Sequence, residues 1–111
     1  MRRLTLSSHG LEAYGSTGVT ITPHARVEQP IAGFGVDVTR YAAGSENGRH
    51  PTRLWQLLAV VSGTGWAAAA DDVRIALEAG DAVLWEPGEE HRSGSDDGMV
   101  AVVVQSPEPP L

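Results

Sequence analysis

Gly80-Asp81-Ala82-Val83-Leu84-Trp85-Glu86-Pro87-Gly88-Glu89-Glu90-His91 is the stretch whose reading decides the fold. Ala79-Gly80-Asp81 makes a turn. Ala82 to Glu86 is short, apolar and aromatic, which suits a strand. Pro87-Gly88 then forces a tight bend, because proline fixes one backbone angle and glycine accepts conformations other residues avoid. His91 opens the next segment, toward Ser93, so the bend delivers an imidazole at the start of a new extended run.

The same grammar runs outward in both directions. Thirteen glycines and seven prolines punctuate the chain every few residues, and helix signals are scarce. Val19 to Thr22 reads as a short strand closed by Pro23. Phe34 to Tyr41 alternates, with Phe34, Val36 and Val38 on one face and Asp37 and Thr39 on the other. Ser45-Glu46-Asn47-Gly48 reads as a turn. Leu54 to Val61 is a nearly continuous apolar run that stops at Ser62-Gly63-Thr64-Gly65, and Trp66 to Ala70 follows. Val73, Ile75 and Leu77 share a face, so strand is preferred there over helix. Asp96-Asp97-Gly98 is a hairpin turn, and Met99 to Gln105 is the last strand. This spacing of short strands predicts an all-β sandwich or barrel. The expected organisation is an N-terminal arm over residues 1–18, a single barrel domain over 19–106 and a proline-rich tail over 107–111.

Composition excludes several kinds of chemistry. A chain of 111 residues can bury a core without staples. It has no cysteine, hence no thiol nucleophile, thiolate metal site or disulfide scaffold. All eight basic residues are arginines, so a lysine Schiff base is ruled out. A net charge of −6 offers no basic stripe for nucleic acid or an anionic membrane. The opening Met1-Arg2-Arg3-Leu4-Thr5-Leu6 is not followed by an apolar run, and no stretch reaches membrane-spanning length, so the cytoplasm is the expected compartment. There is no G-x-S-x-G elbow for a hydrolase serine, and no complete glycine fingerprint for a dinucleotide.

What remains is a pair of histidines. His50, Thr52, Leu54, Gln56, Leu58 and Val60 share one parity, so an extended segment points them to one face. Pro51 is tolerated near a strand's start, which places His50 on the lead-in. His50 and Gln56 are thus candidates to project into one cavity from one strand and its lead-in, and His91, on a separate segment, joins them only if the sheet closes.

These residues carry a family resemblance. Gly80, Gly88 and His91 fall at the offsets of the second cupin motif, with Pro87 one place later than usual and Glu86 in the usual proline position. Gly44, His50, Gln56 and Gly63 fall at offsets of the first cupin motif, where Thr52 occupies the second histidine position and Gln56 the glutamate position. The resemblance covers roughly residues 34–105. It implies a cupin-type double-stranded β-helix, or jelly-roll, barrel with a pocket between its sheets. It also implies a divalent transition metal (Mn, Fe, Ni, Zn or Cu) on His50, Gln56 and His91. That set has two neutral imidazoles and an amide, and no anion unless Glu86, Glu89 or Glu90 supplies one.

The expected function is a stand-alone cupin that binds a small molecule through Thr52, Gln56, Trp85 and Glu86, with or without that metal. The alternatives are a metal-dependent dioxygenase, isomerase or lyase, and a non-catalytic dimerisation or sensor module. A homodimer is expected, since exposed strand edges need cover. Trp55, Trp66 and Trp85 read as core or interface as readily as substrate contacts. Arg49 and Arg53 are rim candidates for a carboxylate or plain surface residues, and His9 and His24 read as surface histidines.

Overall fold

The computed structural model describes residues 1–27 and 33–111. Eight strands follow in order: β1 His9–Gly10, β2 Thr17–Val27, β3 Phe34–Pro51, β4 Trp55–Ala68, β5 Ile75–Glu78, β6 Ala82–Trp85, β7 Glu90–Ser95 and β8 Met99–Ser106. A short 3-10 turn, Ala13–Gly15, links β1 to β2. All pairings are antiparallel. No helix among the described residues is long and apolar enough to cross a membrane.

Two long strands close the barrel. The first half of β3 pairs with β8 and its second half with β7, while β4 pairs with β8 and β6 at its start and with β7 and β5 at its end. The circuit β3–β8–β4–β7–β3 therefore has no free edge, as the jelly-roll reading requires. β3 passes from β8 to β7 between Tyr41 and Ser45, just before an irregularity between Asn47 and His50, and β4 passes from β8 to β7 between Gly63 and Trp66, just after one between Val60 and Ser62. Bulges bend a strand in this way without ending it. Gly63 marks the β4 corner with φ +76°, and a Cβ there would lie 2.2 Å from the Gly98 carbonyl oxygen.

This corrects three local readings. Ser45-Glu46-Asn47-Gly48 is not a turn but the continuation of β3, paired to Ser95, Gly94 and Ser93 of β7. Ser62-Gly63-Thr64-Gly65 is a bend inside one strand, not a break between two. β2 passes through Pro23, which is accommodated at a register shift between Pro23 and Ala25. The stretch read as an arm contributes to the sheet as well: β1 pairs with β2, and the Leu11 N–H donates to the Val19 carbonyl.

The core gathers Val19, Tyr41, Leu58, Val60, Ala67, Leu77, Trp85, Met99, Ala101 and Val103. The Phe34 to Tyr41 alternation is real, but its buried face is Gly35, Asp37, Thr39 and Tyr41, while Val36 and Val38 lie half-exposed outside. On the outer face, cross-strand rows run Val36–Val104–Leu57–Leu84 and Val38–Val102–Ala59–Ala82. Polar side chains inside and valines outside invert the usual partition. The inversion means that part of the interior is a polar cavity.

Candidate functional site

The site grows from one cross-strand pair. His50, near the end of β3, stands directly opposite His91 of β7. Their rings lie 4.3 Å apart, tilted by 59°. His50 and Gln56 belong to different strands, separated by the bend at residues 52–54, so they meet by barrel closure rather than along one extended segment.

Hydrogen bonds fix the ring states. His50 Nδ1 lies 2.7 Å from the Gly48 carbonyl, to which it donates, leaving Nε2 toward the cavity. The Gln56 amide nitrogen lies 3.2 Å from His91 Nε2. An amide NH₂ only donates, so His91 Nε2 accepts and the ring proton sits on Nδ1. Among the described residues that buried Nδ1 makes no well-formed hydrogen bond, although the Glu89 backbone favours a proton there. His91 is 1% exposed, with the Trp85 ring 4.6 Å away. Burial, reinforced by the nearby charge of His50, pulls its pKa from 6.5 down to about 4, and the Glu89 backbone offsets only part of this. His91 is therefore neutral at physiological pH.

The other predicted residues take up distinct positions. Thr52 is buried and its hydroxyl donates to the Leu54 carbonyl at 2.7 Å, so it is committed to the bend. Trp85 is in the core behind His91 and faces a separate apolar hollow of about 200 Å³ with Ala67, Val83 and Leu84. Glu86 is exposed at the turn, where its N–H is held by the Glu89 carboxylate at 2.9 Å. Glu89 lines that apolar hollow, and Glu90 pairs with Arg49 at 3.0 Å. Arg49 and Arg92 are further tied to Asp72, and Arg92 to Glu46. Arg53 lines the rim. Arg74 stacks 3.7 Å over the Trp66 ring, which makes Trp66 a structural aromatic. His24 is exposed, bonded to the Thr22 carbonyl.

Two cavities adjoin the histidine pair. An inner one of about 230 Å³ includes Asp37, Thr39, Tyr41, Asn47, His50 and Gln56 in its wall, and Arg26 and Gln105 also contribute. An outer one of about 380 Å³ is bounded by Tyr14, His50, Thr52, Arg53, Gln56 and Gln105. The shared residues Tyr14, His50, Gln56 and Gln105 mark the junction. Tyr41 donates or accepts at 2.7 Å with Ser93, and burial raises its pKa against the hydrogen bonds of Ser93 and Asn47.

The N-terminal stretch supplies a roof. The Tyr14 ring stacks on His50 at 3.9 Å, and Tyr14 adopts φ 63°, a backbone conformation uncommon outside glycine. Ser16 anchors this roof: its hydroxyl accepts from the Gly48 N–H at 3.1 Å. A Cβ on Gly48 would lie 1.8 Å from the Tyr14 carbonyl oxygen, so only glycine lets the roof sit this close. His9, read as a surface residue, borders the inner cavity together with Leu11.

The donor set does not fit a transition-metal centre. His91 Nε2 is engaged by Gln56, the Thr52 hydroxyl is spent on a backbone carbonyl, and the two imidazoles and amide bring no negative charge. Among the described residues, no three His, Cys, Asp or Glu side chains converge as a metal-binding group.

Sequence reasoning did not single out Asp37, Thr39, Tyr41, Asn47 and Gln105 as cavity residues, nor Tyr14 as a roof. The Asp37/Thr39 alternation was the available signal for the first of these.

The comparisons agree with the architecture. The Cupin domain family model matches residues 37–105. A cupin-like protein from Thermotoga maritima superposes with TM-score 0.82 at 21% identity, covering 96% of this chain and 82% of that one. The polyketide cyclase RemF from Streptomyces resistomycificus gives 0.76 at 16% identity, covering 100% and 82%. A predicted oxalate decarboxylase from Thermotoga maritima gives 0.75 at 16% identity, covering 90% of each chain. At these identities the likeness shows the fold alone. No curated protein matches the sequence. A family match over most of the chain, on a closed barrel that brings His50 and His91 face to face, makes this chain a member of the cupin superfamily.

Proposed function

We propose that this chain is a small-molecule-binding cupin whose ligand occupies the polar cavity beneath Tyr14 and works without a metal on His50, Gln56 and His91. The observation that carries the reading is the inner cavity: about 230 Å³ inside the barrel, walled by hydrogen-bonding side chains from β3, β4 and β8. A concave space lined by a few convergent polar groups is where proteins hold small ligands. Of the residues assigned to the ligand, Gln56 borders both cavities and Thr52 the outer one; Trp85 supports His91 from behind, and Glu86 lies at the exposed turn.

A second reading, a metal-dependent dioxygenase, isomerase or lyase, draws support from neighbours named as a polyketide cyclase and a predicted oxalate decarboxylase. The neutral, already hydrogen-bonded donor set speaks against it. The valine rows on the outer sheet face support a homodimer, because a contiguous apolar surface of this kind seeks cover. A cytoplasmic protein with no nucleic-acid or membrane partner completes the proposal, in keeping with the net charge of −6.

Two measurements test this. Elemental analysis of protein purified without chelator or affinity tag is expected to find less than 0.1 equivalent of Mn, Fe, Ni, Zn or Cu; a stoichiometric metal lost on His50→Ala or His91→Ala favours the enzyme reading. Amide NMR with a library of small polar metabolites is expected to give saturable shifts at Tyr41, Asn47, His50 and Gln56. Shifts confined to the outer surface would end the cavity reading.

A further inference from the structure

Resting on the cavity reading, we propose that Asp37 and Arg26 form a two-ended recognition site that selects a small hydroxylated carboxylic acid, its hydroxyl on Asp37 and its carboxylate at Arg26. Asp37 projects inward from β3 and is 9% exposed. Among the described residues its Oδ1 is buried without a hydrogen-bond partner. The surroundings explain why. Its cross-strand neighbours are Pro23 and Val103, and Leu58 lies beyond Val103 in the same row. Side chains that share a row face the same way, and those of Pro23, Val103 and Leu58 carry no donor. A buried carboxylate oxygen left bare disfavours the folded state. A group that costs stability while facing a cavity is the mark of a residue kept for a ligand.

A carboxylate only accepts, so the matching ligand atom is a donor. Arg26 borders the same cavity and argues against a cationic donor such as ammonium, because the wall already balances one negative charge with one positive. The remaining lining, Thr39, Tyr41, Asn47 and Gln105, is neutral and hydrogen-bonding, which suits hydroxyl groups. Arg26 pairs with Gly35, and Asp37 lies two residues along β3 from Gly35. Two residues of strand span about 7 Å, so the two side chains spring from backbone positions a short way apart along one wall of the cavity. A guanidinium at the mouth is suited to a carboxylate. With about 30 Å³ per water, a cavity of about 230 Å³ takes a molecule replacing about eight waters, the size of a six-carbon hydroxy acid.

The test is calorimetric titration of the full chain with D-gluconate, glucitol and hexanoate, paired with amide NMR. Gluconate is expected to bind at least tenfold more tightly than glucitol, which lacks the carboxylate, and than hexanoate, which lacks hydroxyls. D37N is expected to weaken gluconate at least tenfold, to leave hexanoate within twofold, and to raise or preserve the thermal midpoint. R26Q is expected to weaken gluconate and leave glucitol unchanged. Equal affinity for gluconate and hexanoate, or unchanged gluconate binding by D37N, overturns the assignment. So does a D37N chain that loses stability along with binding, since Asp37 is then a structural residue. If hexanoate alone shifts Tyr41 and His50, the cavity still binds small molecules and only the Asp37–Arg26 pairing falls. If none of the three gives saturable shifts at cavity residues, both readings fall together.

Discussion

His91 makes the fold sensitive to acid through a single ring, and the size of the effect follows from its surroundings. In the unfolded chain a histidine takes up its proton near pH 6.5. In the barrel, burial and the charge of His50 delay that step until about 4. Between those values the unfolded state holds more protons, so stability falls as the solution is acidified. The contribution is complete above pH 6.5, shrinks through the window and is gone below 4. Each pH unit of displacement corresponds to about 1.4 kcal/mol, giving about 3 kcal/mol in full. From pH 7.5 to 5.0 the expected loss is about 2 kcal/mol. Urea unfolding of the wild type and of His91→Gln at both pH values isolates this term, because carboxylate titrations are common to the two proteins and cancel. The difference between them is expected to change by about 2 kcal/mol over that interval. A difference that stays constant to within about 0.5 kcal/mol refutes the reasoning, and direct NMR titration of the His91 ring, expected to centre near 4, gives an independent check.

Three further outcomes follow from the geometry. His50→Gln removes the charge that depresses His91, so the His91 midpoint is expected to move upward from about 4 in the same NMR titration. Gly48→Ala places a methyl 1.8 Å from the Tyr14 carbonyl, so the N-terminal roof must lift; limited proteolysis is expected to cleave before Ser16 faster than in the wild type, with a loss of about 1–3 kcal/mol on urea unfolding. Val102→Glu puts a charge among half-buried valines on the outer face, between Val38 and Ala59; light scattering is expected to show a dimer for the wild type, as proposed, and a monomer for the variant.

The closing of the barrel and the meeting of His50 with His91 were legible through the cupin resemblance, whose glycine and histidine offsets this chain shares; spacing alone left the meeting conditional on a closed sheet. The fate of Asp37 was not legible, and the reason is physical. Alternation assigns residues to two faces but carries no sign, and the usual sign, apolar inward, fails where the interior holds a cavity and the exterior carries the valines. Long strands were hidden for a related reason: Ser45-Glu46-Asn47-Gly48 and Ser62-Gly63-Thr64-Gly65 have turn composition, yet their backbones bend within a strand because β7 and β8 are there to receive the freed hydrogen bonds. The roof follows the same logic. Nothing local distinguishes Tyr14 from a surface tyrosine; its role depends on Gly48, thirty-four positions later, leaving room for its carbonyl. Local composition therefore set the kind of fold, while the chemistry of the site arises where distant segments exclude or admit one another. In this chain, that is where the side chains in the row of Asp37 (those of Pro23, Val103 and Leu58) offer its carboxylate no donor.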